Sequence, residues 1–226
     1  MKFRIPYLLV ALSLIPVVGG AVRLLSLGAE AVPSPADARF IQAPLPVVVH
    51  ILCAVAYSVV GAFQFDEDLR RAQPVWPRRA GWVLWACGVL SALSGVWMTL
   101  AYDIPTPLQG PLLAGVRVLV GLAMATSLLL AIVAISKGNV RSHRAWMVRA
   151  YALGQGAGTQ VVLLLPPALW LGGHVTGLPR DLLMTAAWAI NVVIAELMIR
   201  RWVGVSSSAS QPVTAAAFPV RAGQTL

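Results

Sequence analysis

The chain has 226 residues, 58% of them hydrophobic and 11% charged, with a formal net charge of +9 and a mean hydropathy of +0.79. A soluble domain carries roughly 25% charged residues, so this composition excludes a water-facing fold and makes lipid the solvent for most of the surface. The positive charge does not mark a nucleic-acid binder, because the basic residues fall in short clusters between apolar runs rather than on one polar face.

Apolar runs follow one another at 5–25, 45–65, 80–101, 112–135, 148–170 and 181–201. Each is long enough to cross a hydrocarbon core of ~30 Å at about 1.5 Å per residue. The expected fold is therefore all-α: a polytopic transmembrane bundle of about six spans, filling residues 1–205 as one domain. The first run opens on a basic stretch and is followed by Ala29-Glu30-Ala31, which looks like a cleavage site. Its length exceeds the roughly 7–15 apolar residues of a signal peptide, so it reads as a retained helix. Pro44 and Pro46 precede the second run, Pro74 and Pro77 the third, and Gly172 with Gly173 closes the fifth. Residues 206–226, rich in Ser and Ala with scattered Gln and Pro, read as a disordered tail.

Orientation follows from the basic residues in the short loops. One side carries Lys2, Arg4, Arg70, Arg71, Arg78, Arg79, Lys137, Arg141, Arg144, Arg149, Arg200, Arg201 and Arg221; the other carries Arg23, Arg39, Arg117 and Arg180. Thirteen against four makes the first side cytoplasmic. An even number of spans then puts both termini there, in a multi-pass protein of the cell membrane.

Helices in lipid associate through close backbone contact, and Gly154 with Gly158 forms a GxxxG pair in the fifth run. Polar groups at membrane depth need a partner or a function. His50 lies about one turn into the second run, Gln160 and Asn191 near mid-membrane, and Gln64 and Gln155 toward the cytoplasmic end. Glu196 has Arg200 at i+4 for a local ion pair, and Arg117 can snorkel from the outer end of its run. The densest polar stretch, Lys137–Arg149, leads through an interfacial turn into the fifth helix and holds His143, Arg144, Trp146 and Arg149. Cys53 is placed toward the outer face and Cys87 toward the inner one, which separates the two thiols. Asp66-Glu67-Asp68 reads as a solvated loop end.

Three blocks resemble a known family. They are His50 with Gly61-Ala-Phe-Gln-Phe65, Leu69-Arg70-Arg71 and Pro74; Ser94-Gly95 with Trp97-Met98; and His143-Arg144-Ala145-Trp146-Met147-Val148-Arg149-Ala150-Tyr151. The set resembles the bacterial membrane family known as domain of unknown function 2306, over about residues 47–160. The resemblance implies topology and site positions, not an activity. Relatives carry His-Arg after the loop proline; Pro77-Arg78-Arg79 has proline in the histidine position. A cytoplasmic histidine pair, if the family uses one, is reduced here to His143.

No Ser/His/Asp arrangement and no HExxH occurs, so no catalytic residue is named. One expectation is a bundle that binds or moves a small apolar or amphipathic ligand through His50, Gln64, His143, Arg144, Arg149, Gln160 and Asn191. A subunit of a membrane complex or homo-oligomer would have the same architecture. The alternative is a b-type haem electron carrier with His50 and His174 as axial ligands on the outer side.

Overall fold

A computed structural model describes residues 5–28, 37–73 and 75–208, except the side chains of 28 and 202–208. The cleavage-like Ala29–Ala31, the basic residues Lys2, Arg4 and Arg221, and the tail from 209 onward lie outside the described residues. The helices are α1 (Ile5–Gly28), α2 (Ala38–Gln42), α3 (Pro44–Ala62), α4 (Glu67–Ala72), α5 (Trp76–Ala101), α6 (Pro111–Ser136), α7 (Val140–Gly154), α8 (Gly156–Leu171) and α9 (Gly177–Ser208). No strand occurs among the described residues.

Proline opens α3, α5 and α6 at their first turns, where its missing N–H has no intrahelical partner to lose. Asp66 caps α4, accepting from Asp68 N and Leu69 N at 3.0 Å each, and Glu67 pairs with Arg70 and Arg71 one turn on. The acidic cluster is thus a helix start rather than an idle loop end. Gly110, in the capping position before α6, has no side chain to cap it; Asp181 of α9 supplies the carboxylate, accepting from Gly110 N and Leu113 N at 3.3 Å.

Among the described residues, five helices are long and apolar enough to cross a membrane: Ile5–Leu27, Pro44–Phe65, Trp76–Ala101, Pro111–Ser136 and Gly177–Arg201. The run at 148–170 differs from expectation. It lies in two helices, α7 and α8, of 15 and 16 residues, separated at Gln155. The His143 segment, expected as an interfacial turn, is already helical, because Asn139 caps α7 by accepting from Ser142 N at 2.9 Å.

Breaking a helix among apolar neighbours frees carbonyls that must be satisfied from elsewhere. Side chains of α9 do this. Trp188 Nε1 donates to Leu153 O at 3.2 Å, and Asn191 Nδ2 donates to Ala152 O at 3.1 Å. Thr159 Oγ1, beyond the break, donates to Asn191 Oδ1 at 2.8 Å. Gly156 gives the Trp188 indole its space, since a Cβ there would overlap the ring. Gly158 makes the close contact expected of the GxxxG pair: its Cβ would lie 3.0 Å from the Leu12 carbonyl carbon on α1.

The core sits between α3, α5, α6 and α7, around Tyr57, Leu84, Met124, Leu128 and Tyr151. Leu25, Leu100, Leu119 and Trp170 are among the many large apolar side chains left exposed, as a lipid-facing surface requires. Two pairings differ from expectation. Glu196 is held not by Arg200 but by Arg149 of α7, through bonds from Nε and Nη2 of 2.5 and 3.0 Å. Cys53 and Cys87 are not separated by depth: the packing of α3 against α5 brings the two free thiols near enough to act on one another. α5 starts at Trp76 rather than 80, which carries Cys87 deeper into the bundle.

Candidate functional site

Two cavities, with no lining residue in common, occupy opposite ends of the bundle. The first has a volume of about 490 Å³ and contains His50, Gln160, Arg39, Arg117 and Arg180. The second has a volume of about 720 Å³ and contains Gln64, His143, Arg144, Arg70 and Arg78.

His50 Nδ1 lies 2.9 Å from Ser91 O and 3.2 Å from Ser94 Oγ. A carbonyl only accepts, so Nδ1 carries the proton, and Nε2 is the ring nitrogen left to accept from a ligand when the ring carries that one proton. Gln160 donates to Met184 O at 3.4 Å. Arg117 donates to Gln109 Oε1, and Arg180 Nε donates to Leu108 O at 3.1 Å, so both guanidiniums also brace the loop before α6. Tyr102, edge-on to Phe40 and Trp97, donates to Ala43 O at 2.6 Å, and burial raises its phenol above its ordinary pKa.

His143 repeats the His50 geometry in the second cavity. Its Nδ1 donates to Ala131 O at 2.9 Å, and the ring lines the cavity. Gln64 makes only a long contact, 3.5 Å, with Pro77 O. Trp85 donates to Leu128 O at 3.1 Å. Tyr57 lines this cavity and is 2% exposed; its hydroxyl is the one buried side-chain polar atom without a partner among the described residues.

A polar septum divides the two spaces. Gln155 lines the first cavity and Tyr151 the second, and Gln155 Nε2 donates to the Tyr151 hydroxyl at 2.6 Å. Tyr151 donates in turn to Ser58 O at 2.7 Å, and Gln155 Oε1 lies 3.0 Å from the Ser13 hydroxyl, which also reaches Leu9 O. The chain joins α1, α3 and the α7–α8 break.

The structure divides the residues named from sequence. His50 and Gln160 share one cavity; Gln64, His143 and Arg144 share the other. Arg149 and Asn191 line neither: Arg149 is committed to Glu196 and stacks over Trp146 at 4.6 Å, and Asn191 closes the helix break. His174 is exposed in the loop between α8 and α9 and lines neither cavity, so His50 and His174 do not fit a haem held between two axial histidines. Sequence reasoning passed over Tyr151, Tyr57 and the arginines of the first cavity. One signal was available for the arginines: three of the four basic residues on the basic-poor side, Arg39, Arg117 and Arg180, meet in one place.

An apolar helical surface enclosing polar side chains that satisfy one another defines an integral membrane protein. The chain belongs to the family described as predicted membrane protein, domain of unknown function 2306, whose model matches residues 47–199. The match extends beyond the 47–160 of the resemblance, through α8 and most of α9, and so includes the helix break and the residues that close it. No curated protein and no solved structure matches the chain.

Proposed function

We propose that the bundle binds a small amphipathic ligand and passes it across the membrane between the two cavities. The observation that supports this most is their arrangement: two mainly apolar spaces, each with a fixed histidine, that meet at the Tyr151–Gln155 contact beside a break in a helix and at the packed side chains around Tyr57 and Met124. Ligand sites are typically about 300–1,000 Å³, apolar, with a few placed polar groups, and both spaces are of that kind. Broken helices recur at the midplane sites of transporters, where irregular backbone faces a cavity.

In this reading α7 and α8 cross the membrane together as one broken span, which makes six. Both termini then lie on the cytoplasmic side of the cell membrane, in keeping with the distribution of Lys and Arg. The His50 cavity faces outward and the His143 cavity inward.

The test is thermal unfolding of the protein in nanodiscs against a panel of lipophilic and amphipathic compounds, followed by flux of any hit in proteoliposomes. A ligand at about 100 times its Kd stabilises the folded state by about 2.7 kcal/mol. The expected result is a hit whose stabilisation is lost in His50→Ala or His143→Ala and whose flux falls in Gln155→Leu. A panel that shifts nothing, or shifts wild type and both histidine variants equally, overturns the proposal.

A further inference from the structure

The first cavity has a charge arrangement that a neutral ligand would not use. Arg39, Arg117 and Arg180 line it together, and no acidic side chain lines it among the described residues. Among the described residues none of the three is in an ion pair. Arg39 stacks over Phe40 at 4.5 Å, Arg117 donates to Gln109, and Arg180 donates to Leu108 O. Each guanidinium has five N–H donors in a planar fork, so these single bonds leave most of the donors unused. The three charges are close enough to act on one another: Arg39 and Arg180 both repel Arg117. One carboxylate, Asp181, acts on Arg117 and Arg180 from outside the lining, and its oxygens already accept from Gly110 N and Leu113 N. Three positive charges against one negative, partly buried beside an apolar wall, leave a charge deficit that an anion from outside would fill.

The distribution of basic residues points the same way. The basic-poor side of the bundle has four, and topology gives no reason to keep any of them. Arg23 has a local partner, Asp37, at 2.7 Å. The other three, from α2, α6 and α9, converge on one cavity although Arg39 and Arg180 are far apart in sequence. Below them the wall is apolar, with Ile51, Val55, Val120 and Met184, and His50 stands between the two zones with Nε2 as an acceptor.

We infer that the first cavity recognises an oxyanion headgroup, carboxylate or phosphate, carried on an apolar chain, with Arg117 and Arg180 taking the headgroup and the wall below taking the chain. The inference rests on the proposed amphipathic ligand and specifies its charge. Arg–oxyanion bonds are charge-assisted and often bidentate, which suits a planar fork left with spare donors.

The test is calorimetric titration of the protein in zwitterionic nanodiscs, against empty nanodiscs, with four probes: dodecanoate, dodecyl phosphate, dodecanol and inorganic phosphate. Dodecanoate or dodecyl phosphate should bind at least about tenfold more tightly than dodecanol or inorganic phosphate, and which of the two leads identifies the headgroup. Arg180→Gln should weaken that binding by about tenfold or more, the scale of one charged hydrogen bond. Arg117→Lys, which keeps the charge, should weaken it less than Arg117→Gln, and added salt should weaken it throughout. Dodecanol binding as tightly as dodecanoate would overturn the inference and leave an amphipathic ligand in place. Inorganic phosphate matching dodecyl phosphate would overturn it by removing the chain. Binding of none of the four would overturn both the inference and the proposed function. If Arg117→Gln does not fold, the Arg180 variant and the salt dependence decide.

Discussion

Asn191 is the residue at which a structural role and a ligand-binding role separate most clearly. In Asn191→Ala the Ala152 carbonyl at the helix break loses its donor and Thr159 loses its acceptor. Hydrogen bonds between membrane helices average about 0.6 kcal/mol, with a maximum near 1.7. Two of them put the expected loss at roughly 1–3 kcal/mol, or about a 5- to 150-fold change in the folded ratio. The assay is reversible unfolding in mixed micelles, read by near-UV tryptophan signal, with wild type, Asn191→Ala, Thr159→Val and the double variant compared. The double variant should be less destabilised than the sum of the singles by about 0.6 kcal/mol, because the two side chains bond each other. A loss below about 0.3 kcal/mol in Asn191→Ala, or strict additivity with Thr159→Val, would refute the closure of the break by Asn191.

Tyrosines 57 and 151 should respond in opposite directions. Tyr57→Phe removes a buried hydroxyl with no partner and should leave stability unchanged or raise it, whereas Tyr151→Phe strands the Gln155 amide and should lower it by about 1–3 kcal/mol in the same assay. Arg149→Ala should lower the melting temperature more than Arg200→Ala, and Arg149→Lys should not fully restore it, because a lysine cannot reproduce the two-bond contact with Glu196. Oxidation with a membrane-permeant oxidant such as diamide should link Cys53 to Cys87, seen as loss of both free thiols by mass spectrometry; two thiols that stay separately alkylatable would count against the α3–α5 register.

The position of the long apolar helices along the chain was legible in the sequence, and direction around each helix was not. Hydropathy located the five long helices to within a few residues of their ends, because the bilayer imposes a length on any apolar run that crosses it. Partners depend on which face meets which neighbour. Glu196 had Arg200 one turn away, but the tertiary fold brings Arg149, 47 residues distant, into better geometry. The break at Gln155 was hidden for a related reason. Gly154-Gln-Gly156-Ala-Gly158 matched a packing motif and is one at Gly158, yet the same small residues also let Trp188 and Asn191 of another helix replace the missing backbone partners. A hydropathy window averages over such a point.

The septum and the helix break are physically linked. An unbroken helix through residue 155 would satisfy its own carbonyls and would need nothing from Trp188 and Asn191. By interrupting the ladder there, the chain hands two backbone bonds to side chains of α9 and places Gln155, 4% exposed, against Tyr151 and Ser13. Side-chain bonds exchange partners without unwinding a helix, so the contact dividing the cavities can open at the expense of a few modest bonds rather than a stretch of secondary structure. Gln155→Leu tests this directly. It removes the bonds to Tyr151 and Ser13 while filling much of the same space with an apolar group, so the divide should stay closed by packing while its polar exchange is lost. In the proposed function, ligand binding in either cavity should survive this change and flux between them should fall; flux equal to wild type would show that the septum is not the barrier.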